Sequence, residues 1–250
     1  MTDSENSLPA PAKPSSTIVL LRECDSRPEL LMVKRRAGDA FGDSYAFPGG
    51  VVDHDESAAR PYCFGLSQED ADRILDVPHD GLDYYSAGIR ELFEETGVLL
   101  AHDDSGVWAC GESLSGELRA KVDKGLLPWS QFLEQRSLHI ACDSLHYFAH
   151  WETPLDLPKR WSTRFFAAKM PGGQNACHDG IETTDSRWMT ATDSLTEAAH
   201  GKIRVPYPTI KTLEKMQHCS SIDELFGWVR EQQSNGISLN RLDTFHDAAS

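Results

Sequence analysis

The run Arg90-Glu91-Leu92-Phe93-Glu94-Glu95-Thr96-Gly97-Val98 constrains this chain more than any other stretch. On a helix, residues three and four apart share a face, so Glu91, Glu94 and Glu95 fall within one narrow sector. Tyr85, Ile89, Leu92, Phe93 and Thr96 take the opposite side, the face a core would cover. Like charges at these spacings repel and weaken an isolated helix. A chain that keeps them needs something to offset the repulsion, and hard divalent cations prefer oxygen ligands of this kind. Taken alone, the three glutamates also fit a solvated acidic helix face. Gly97 suits the left-handed position that ends helices, which places the motif helix at about 84–96.

Upstream, Phe47-Pro48-Gly49-Gly50 precedes Val51-Val52-Asp53-His54-Asp55-Glu56. The combined pattern, Gly50-x5-Glu56 followed by Arg90-Glu91-Leu92-x-Glu94-Glu95-x-Gly97-Val98, resembles the signature of the Nudix hydrolases. A chance match to the second half alone is on the order of one in 10⁵ at average composition, so the resemblance is specific. It implies an α/β fold, a mixed β-sheet sandwiched between α-helices (α/β/α), with extra C-terminal helices here. It also implies a hydrolase that uses Mg²⁺ or Mn²⁺ to cleave the diphosphate linkage of a nucleoside diphosphate joined to another moiety. By the same resemblance Glu94 and Glu95 are the principal metal ligands, and Glu91 binds metal or activates water. The Gly50 carbonyl is a backbone ligand. Arg90 belongs with Glu91 and Glu94 in the catalytic group, and it pairs with Glu56 to brace the loop against the helix.

The signature is split. Thirty-three residues separate Glu56 from Arg90 where the family has seven, an insertion of 26. Ser67 and Asp70 form a Ser-x-x-Asp cap for a short helix through about Leu75, and Pro78-His79-Asp80-Gly81 marks a turn back. An insertion at this point is similar to the subgroup that includes the peroxisomal coenzyme A diphosphatases. Thr17-Ile18-Val19-Leu20-Leu21-Arg22, Thr163-Arg164-Phe165-Phe166 and Pro206-Tyr207-Pro208-Thr209 support that subgroup. Asp39 and Asp43, however, stand where many coenzyme A diphosphatases have an arginine and a glycine. Coenzyme A or an acyl derivative leads as substrate; NADH, ADP-ribose or a sugar nucleotide stays open, as does a non-catalytic nucleotide-binding module. Hydrolysis of oxidised nucleoside triphosphates would leave the insertion unexplained.

A chain of 250 residues fits one large domain, expected at 16–234 with 57–83 as the insertion. Residues 1–15 read as a disordered leader and 235–250 as a loose tail. The formal charge of −15 argues against nucleic acid as partner, because phosphate binding needs many Lys and Arg. It does not exclude a small-molecule diphosphate, since a bound cation reverses the local field. No stretch approaches the roughly 20 apolar residues that span a membrane. The six cysteines form no CxxC pair and read as reduced thiols of a cytoplasmic protein. A homodimer stays open.

Strands are expected at 16–21, 30–34, 144–152, 163–170 and 182–189. Helices are expected at 114–124, 129–135 and 209–217, one opened by Ser194 with Glu197, and one at 221–232 opened by Ser221 with Glu224. The resemblance also asks for a later-loop carboxylate as general base, and Asp179 and Glu182 are the candidates; His178 is a weaker one. Lys34, Arg35, Arg36 and Arg164 are candidates for substrate phosphates, with Glu182 also at the substrate. Trp161, Phe165 and Phe166 read as core residues that could stack on a base. His146, His150 and Cys142 share one strand region without the convergence a zinc site needs.

Overall fold

The computed structural model describes residues 10–38 and 42–241; Asp39, the first nine residues of the expected leader and the last nine of the expected tail lie outside the described residues. Strands β1 (Lys13–Cys24) and β2 (Arg27–Arg35) form a hairpin whose turn, Asp25-Ser26, has both residues at positive φ, as tight antiparallel turns require. Then come β3 (Tyr45–Ala46) and β4 (Gly49–Val51). A 3-10 segment (His54–Tyr62) leads from the signature into the insertion, which carries β5 (Cys63–Phe64) and helix α1 (Gln68–Leu75) before the motif helix α2 (Gly81–Thr96). Next are β6 (Ala101–His102), α3 (Gly116–Asp123), α4 (Trp129–Arg136), β7 (His139–Ala141), β8 (His146–Glu152) and β9 (Trp161–Lys169). The chain closes with β10 (Thr183–Met189), α5 (Ala191–Ala199), α6 (Tyr207–Met216), α7 (Ile222–Asn235) and β11 (Leu239–Arg241).

The main sheet runs β10-β2-β1-β9-β8-β11, with β3 beside β2 and β4 beside β1. It is mixed: β1 is antiparallel to β2 and parallel to β9 over Lys13–Leu21. A small second sheet, β5-β7-β6, ties the insertion to the body. Strand alternation sends successive residues to opposite faces, so β1 feeds two cores. Ile18 and Leu20 join Tyr85, Ile89 and Phe93 of α2 on one side. Val19 and Leu21 join Leu213 of α6 and Val229 of α7 on the other. The α/β/α sandwich follows from that alternation. Phe93 is fully buried and stacks on Phe132 at 5.3 Å; burying such a ring is worth roughly 1.5–3 kcal/mol.

Two ends of α2 show how the split motif is rejoined. Gly97 takes φ +74° and its N–H returns to the Phe93 carbonyl, as a helix-ending glycine does. At the start, Asp80 makes no side-chain cap; Asp72 of α1 caps instead, accepting from the Gly81 N–H at 2.6 Å. The insertion thus supplies the cap of the motif helix.

Some boundaries differ from expectation. The strand placed at 16–21 begins at Lys13, inside the expected leader, because Lys13–Ser15 pair with Trp161–Thr163 of β9. Within the expected tail, Leu239–Arg241 form a strand, since β11 adds in parallel to β8. The motif helix starts at Gly81, three residues early, so its first turn belongs to the insertion. Thr190 caps α5 by accepting from the Asp193 N–H, whereas Ser194 is buried within the helix. Ser67 and Ser221 do cap α1 and α7.

Candidate active site

Two stretches far apart in sequence, 49–56 and the carboxyl-terminal half of α2, meet here. Glu91, Glu94 and Glu95 come from the helix, Gly49 and Gly50 from β4, and Glu56 from the 3-10 segment. Arg90 sits among them. Its Nε donates to Glu56 Oε1 at 2.7 Å, Nη1 to Glu94 Oε2 at 2.6 Å and Nη2 to the Val51 carbonyl at 3.1 Å. Nη2 also stands 3.0 Å from Glu91 Oε1. Ser86 Oγ donates to the second Glu56 oxygen and itself accepts from Trp129 Nε1. The 33 intervening residues therefore leave and return without breaking the Glu56–Arg90 pair.

Glu95 is buried and accepts the Gly49 N–H at 3.0 Å, with Arg35 Nη1 3.7 Å from its other oxygen. Gly50 lies against Glu91: a Cβ there would fall 2.3 Å from the Glu91 carboxyl carbon. The missing side chain lets the backbone approach the acidic cluster. Five carboxylates (Glu56, Glu91, Glu94, Glu95 and the exposed Asp53) face two guanidinium groups (Arg35 and Arg90), leaving a formal −3 when all are ionised. Burial pushes Glu94 and Glu95 up to about 8. Arg90 opposes the shift at Glu94, and Arg35 opposes it at Glu95. Glu91 is raised too, by burial foremost, with the charge of Glu182 adding to it.

Among the described residues no three His, Cys, Asp or Glu side chains converge as a ready-made metal cage. The donor set still suits Mg²⁺, which takes one or two carboxylates and fills its shell with water and phosphate oxygens. Buried, surplus negative charge beside a glycine cradle is the environment such a cation relieves.

A pH dependence follows. An acid whose pKa is about 8 folded and 4.5 unfolded keeps extra protons in the folded state between those values. Its stability contribution is full below about pH 4.5, declines as pH rises and levels off above about 8. In EDTA, the unfolding temperature is expected to fall from about pH 5 to pH 8. Magnesium should raise it more at pH 8 than at pH 5, because binding needs ionised carboxylates. Equal magnesium shifts at both pH values would remove these glutamates from the cation site.

On the opposite face of β1 a cavity of about 560 Å³ adjoins the same turn. Arg35, Gly49 and Gly50 belong to both its wall and the acidic cluster, so the two are contiguous. Trp151, Trp161, Phe165 and Tyr207 line it, Trp151 and Tyr207 meeting edge to face at 6.0 Å.

The remaining candidates separate. Arg36 is exposed and bonds the Ile181 carbonyl; Lys34 pairs with Asp43. Arg164 does not join the cluster. It points to the α2 side, buried, donating to His150 Nε2 at 2.7 Å and lying 5.2 Å over the Tyr84 ring. Asp179 builds its loop, accepting from the N–H groups of Ile181, Glu182 and Thr183. Glu182 is exposed, and its charge reaches Glu91 and Glu95. Phe166 is core, whereas Trp161 and Phe165 reach the cavity by alternation on β9. Sequence reasoning did not place Trp151, Tyr207 or Ser86 at the site. Alternation along β8 signals Trp151, and the Pro206-Tyr207-Pro208-Thr209 stretch signals Tyr207, but nothing local signals Ser86.

No protein-family model matches the chain. It is 24% identical over 219 residues to nudix hydrolase 7 of Caenorhabditis elegans, covering 86% of this chain and 65% of that one. It is 24% identical over 247 residues to the acyl-coenzyme A diphosphatase NUDT19 of Xenopus laevis, covering 83% and 64% respectively. The chain thus spans just under two thirds of the length of these relatives. The crystal structure of a NUDIX hydrolase from Alicyclobacillus acidocaldarius superposes with a TM-score of 0.73 at 24% identity, over 87% of this chain and 96% of that one. Shared architecture and the rejoined signature lead to one conclusion: the chain has the Nudix fold and is similar in sequence to Nudix hydrolases.

Proposed function

We propose that this chain hydrolyses the diphosphate linkage of a nucleoside diphosphate joined to another moiety, with Mg²⁺ or Mn²⁺. The observation that carries the reading is the buried glutamate cluster against the Gly49-Gly50 turn. A bound divalent cation would neutralise phosphate charge and make a coordinated water more acidic. Glu94 and Glu95, with Glu91 and the Gly50 carbonyl, are the groups to hold it. Arg90 keeps Glu91 and Glu94 together and anchors them through Glu56. Arg35, between cluster and cavity, faces the charge of the diphosphate. The aromatic wall supplies stacking surfaces for the base.

Glu182 is the proton acceptor favoured here, because its charge acts on Glu91 and Glu95 in the cluster. Glu182→Gln is expected to lower kcat by roughly 10²–10⁴-fold and to leave KM and magnesium affinity within about twofold. An unchanged kcat would pass the role to another acid.

Coenzyme A or acyl-coenzyme A leads as substrate, supported by the likeness to the frog diphosphatase and by the insertion within the motif. NADH, ADP-ribose and sugar nucleotides follow. A binding module without turnover is disfavoured, since all three helix glutamates are present. Mass-spectrometric product analysis of a panel of these compounds with Mg²⁺ or Mn²⁺ tests the reading. Formation of 3′,5′-ADP and phosphopantetheine marks a coenzyme A diphosphatase; formation of AMP from NADH or ADP-ribose selects the second group. No product from any of them would overturn the hydrolase reading for these substrates.

A further inference from the structure

Arg119 lies on α3, more than twenty residues beyond the motif helix, and no part of the signature includes it. Its guanidinium nevertheless reaches the active-site helix. Nε donates to the Glu94 carbonyl at 2.8 Å, and Nη1 donates to the Cys177 carbonyl at 2.8 Å. The first acceptor is the backbone of a candidate metal ligand. The second belongs to the loop that carries Asp179 and Glu182.

Other bonds close the same seam. The Cys177 N–H donates to the Thr96 carbonyl at 2.8 Å, and Thr183 Oγ1 donates to the Glu95 carbonyl at 3.2 Å. Gln174 holds the start of the loop through Leu99 and Ala109. Each of these is a single point of attachment, or lies upstream of the seam. Arg119 is different because its planar fork spans both partners from a third element. Gly97 keeps the space open: a Cβ there would meet Arg119 Nη1 at 3.4 Å. The placement also leaves a cost in place, since Nη2 is buried without a hydrogen-bond partner.

We propose that Arg119 is a positioning residue that sets the distance between the metal-holding carboxylates of α2 and Glu182, by clamping the Glu94 carbonyl to the Cys177 carbonyl. The proposal rests on the hydrolase reading, with Glu182 as proton acceptor. Misplacement of a reacting group by about 1 Å is worth on the order of 10²-fold in rate. Loss of the clamp should therefore appear in kcat, not in substrate or cation binding.

The test compares wild type, Arg119→Lys and Arg119→Ala as full-length protein. Four properties are measured: kcat and KM with the best substrate of the panel, Mn²⁺ affinity by calorimetry, unfolding temperature, and hydrogen exchange of residues 177–183. In Arg119→Ala, kcat is expected to drop about 10²-fold, with KM and Mn²⁺ affinity within twofold and exchange of the loop at least tenfold faster. Lysine, a point donor unable to span both carbonyls, should recover little, and millimolar guanidinium should restore part of the kcat of Arg119→Ala. An unchanged kcat overturns the proposal, as does a loss of kcat matched by equal losses of Mn²⁺ affinity and unfolding temperature. If wild type turns nothing over, the hydrolase reading fails separately. The exchange arm then decides the clamp by itself, and unchanged exchange would overturn it.

Discussion

Replacing Glu94 by Gln is expected to abolish metal-dependent turnover, by on the order of 10³-fold or more, while leaving the fold intact. A cation held by these carboxylates is worth several kcal/mol of charge stabilisation in the transition state. An amide keeps the shape and one oxygen acceptor for Arg90 Nη1 but is a far poorer cation ligand. Burial already favours the neutral form of Glu94, holding its pKa at about 8. The neutral side chain therefore costs the metal-free protein little near neutral pH. Steady-state kinetics beside thermal unfolding in EDTA checks this. Retained turnover would remove Glu94 from the chemistry, and a collapse of the unfolding temperature would make its role structural.

The second large effect concerns the glycine pair, whose two members should fail in different ways. A Cβ at Gly49 would lie 2.2 Å from the Ser16 carbonyl oxygen and 2.7 Å from Thr17 Cα, and the residue holds φ +154°. Backbone cannot retreat from backbone without breaking the pairing of β4 with β1. Gly49→Ala is expected to cost roughly 3 kcal/mol, about 10 °C in unfolding temperature. At Gly50 the added Cβ meets the Glu91 carboxylate, the mobile end of a side chain. Gly50→Ala should lose less than about 1 kcal/mol of stability but at least tenfold in magnesium affinity, since the carboxylate must move. Equal stability losses in both variants would contradict this division.

The acidic face of α2, its stop at Gly97, the caps at Ser67 and Ser221 and the approximate course of the five longest strands were legible in the chain itself. Each depends on contacts within a few residues, where spacing alone decides which side chains share a face. Arg164 shows the limit. Strand alternation assigns it a face but does not say which face holds the cavity, and packing against Tyr84 placed it on the other side. Lys13–Ser15 and Leu239–Arg241 look like polar ends, yet each pairs with a distant strand. Local sequence determined the glutamate face and its glycine stop, because helical periodicity needs no partner. Only the tertiary structure decided that Glu56 meets Arg90 across the insertion, that Asp72 caps the motif helix and that Arg119 reaches the Glu94 carbonyl. Those are contacts between elements, and their geometry exists only once both cores have closed around the sheet.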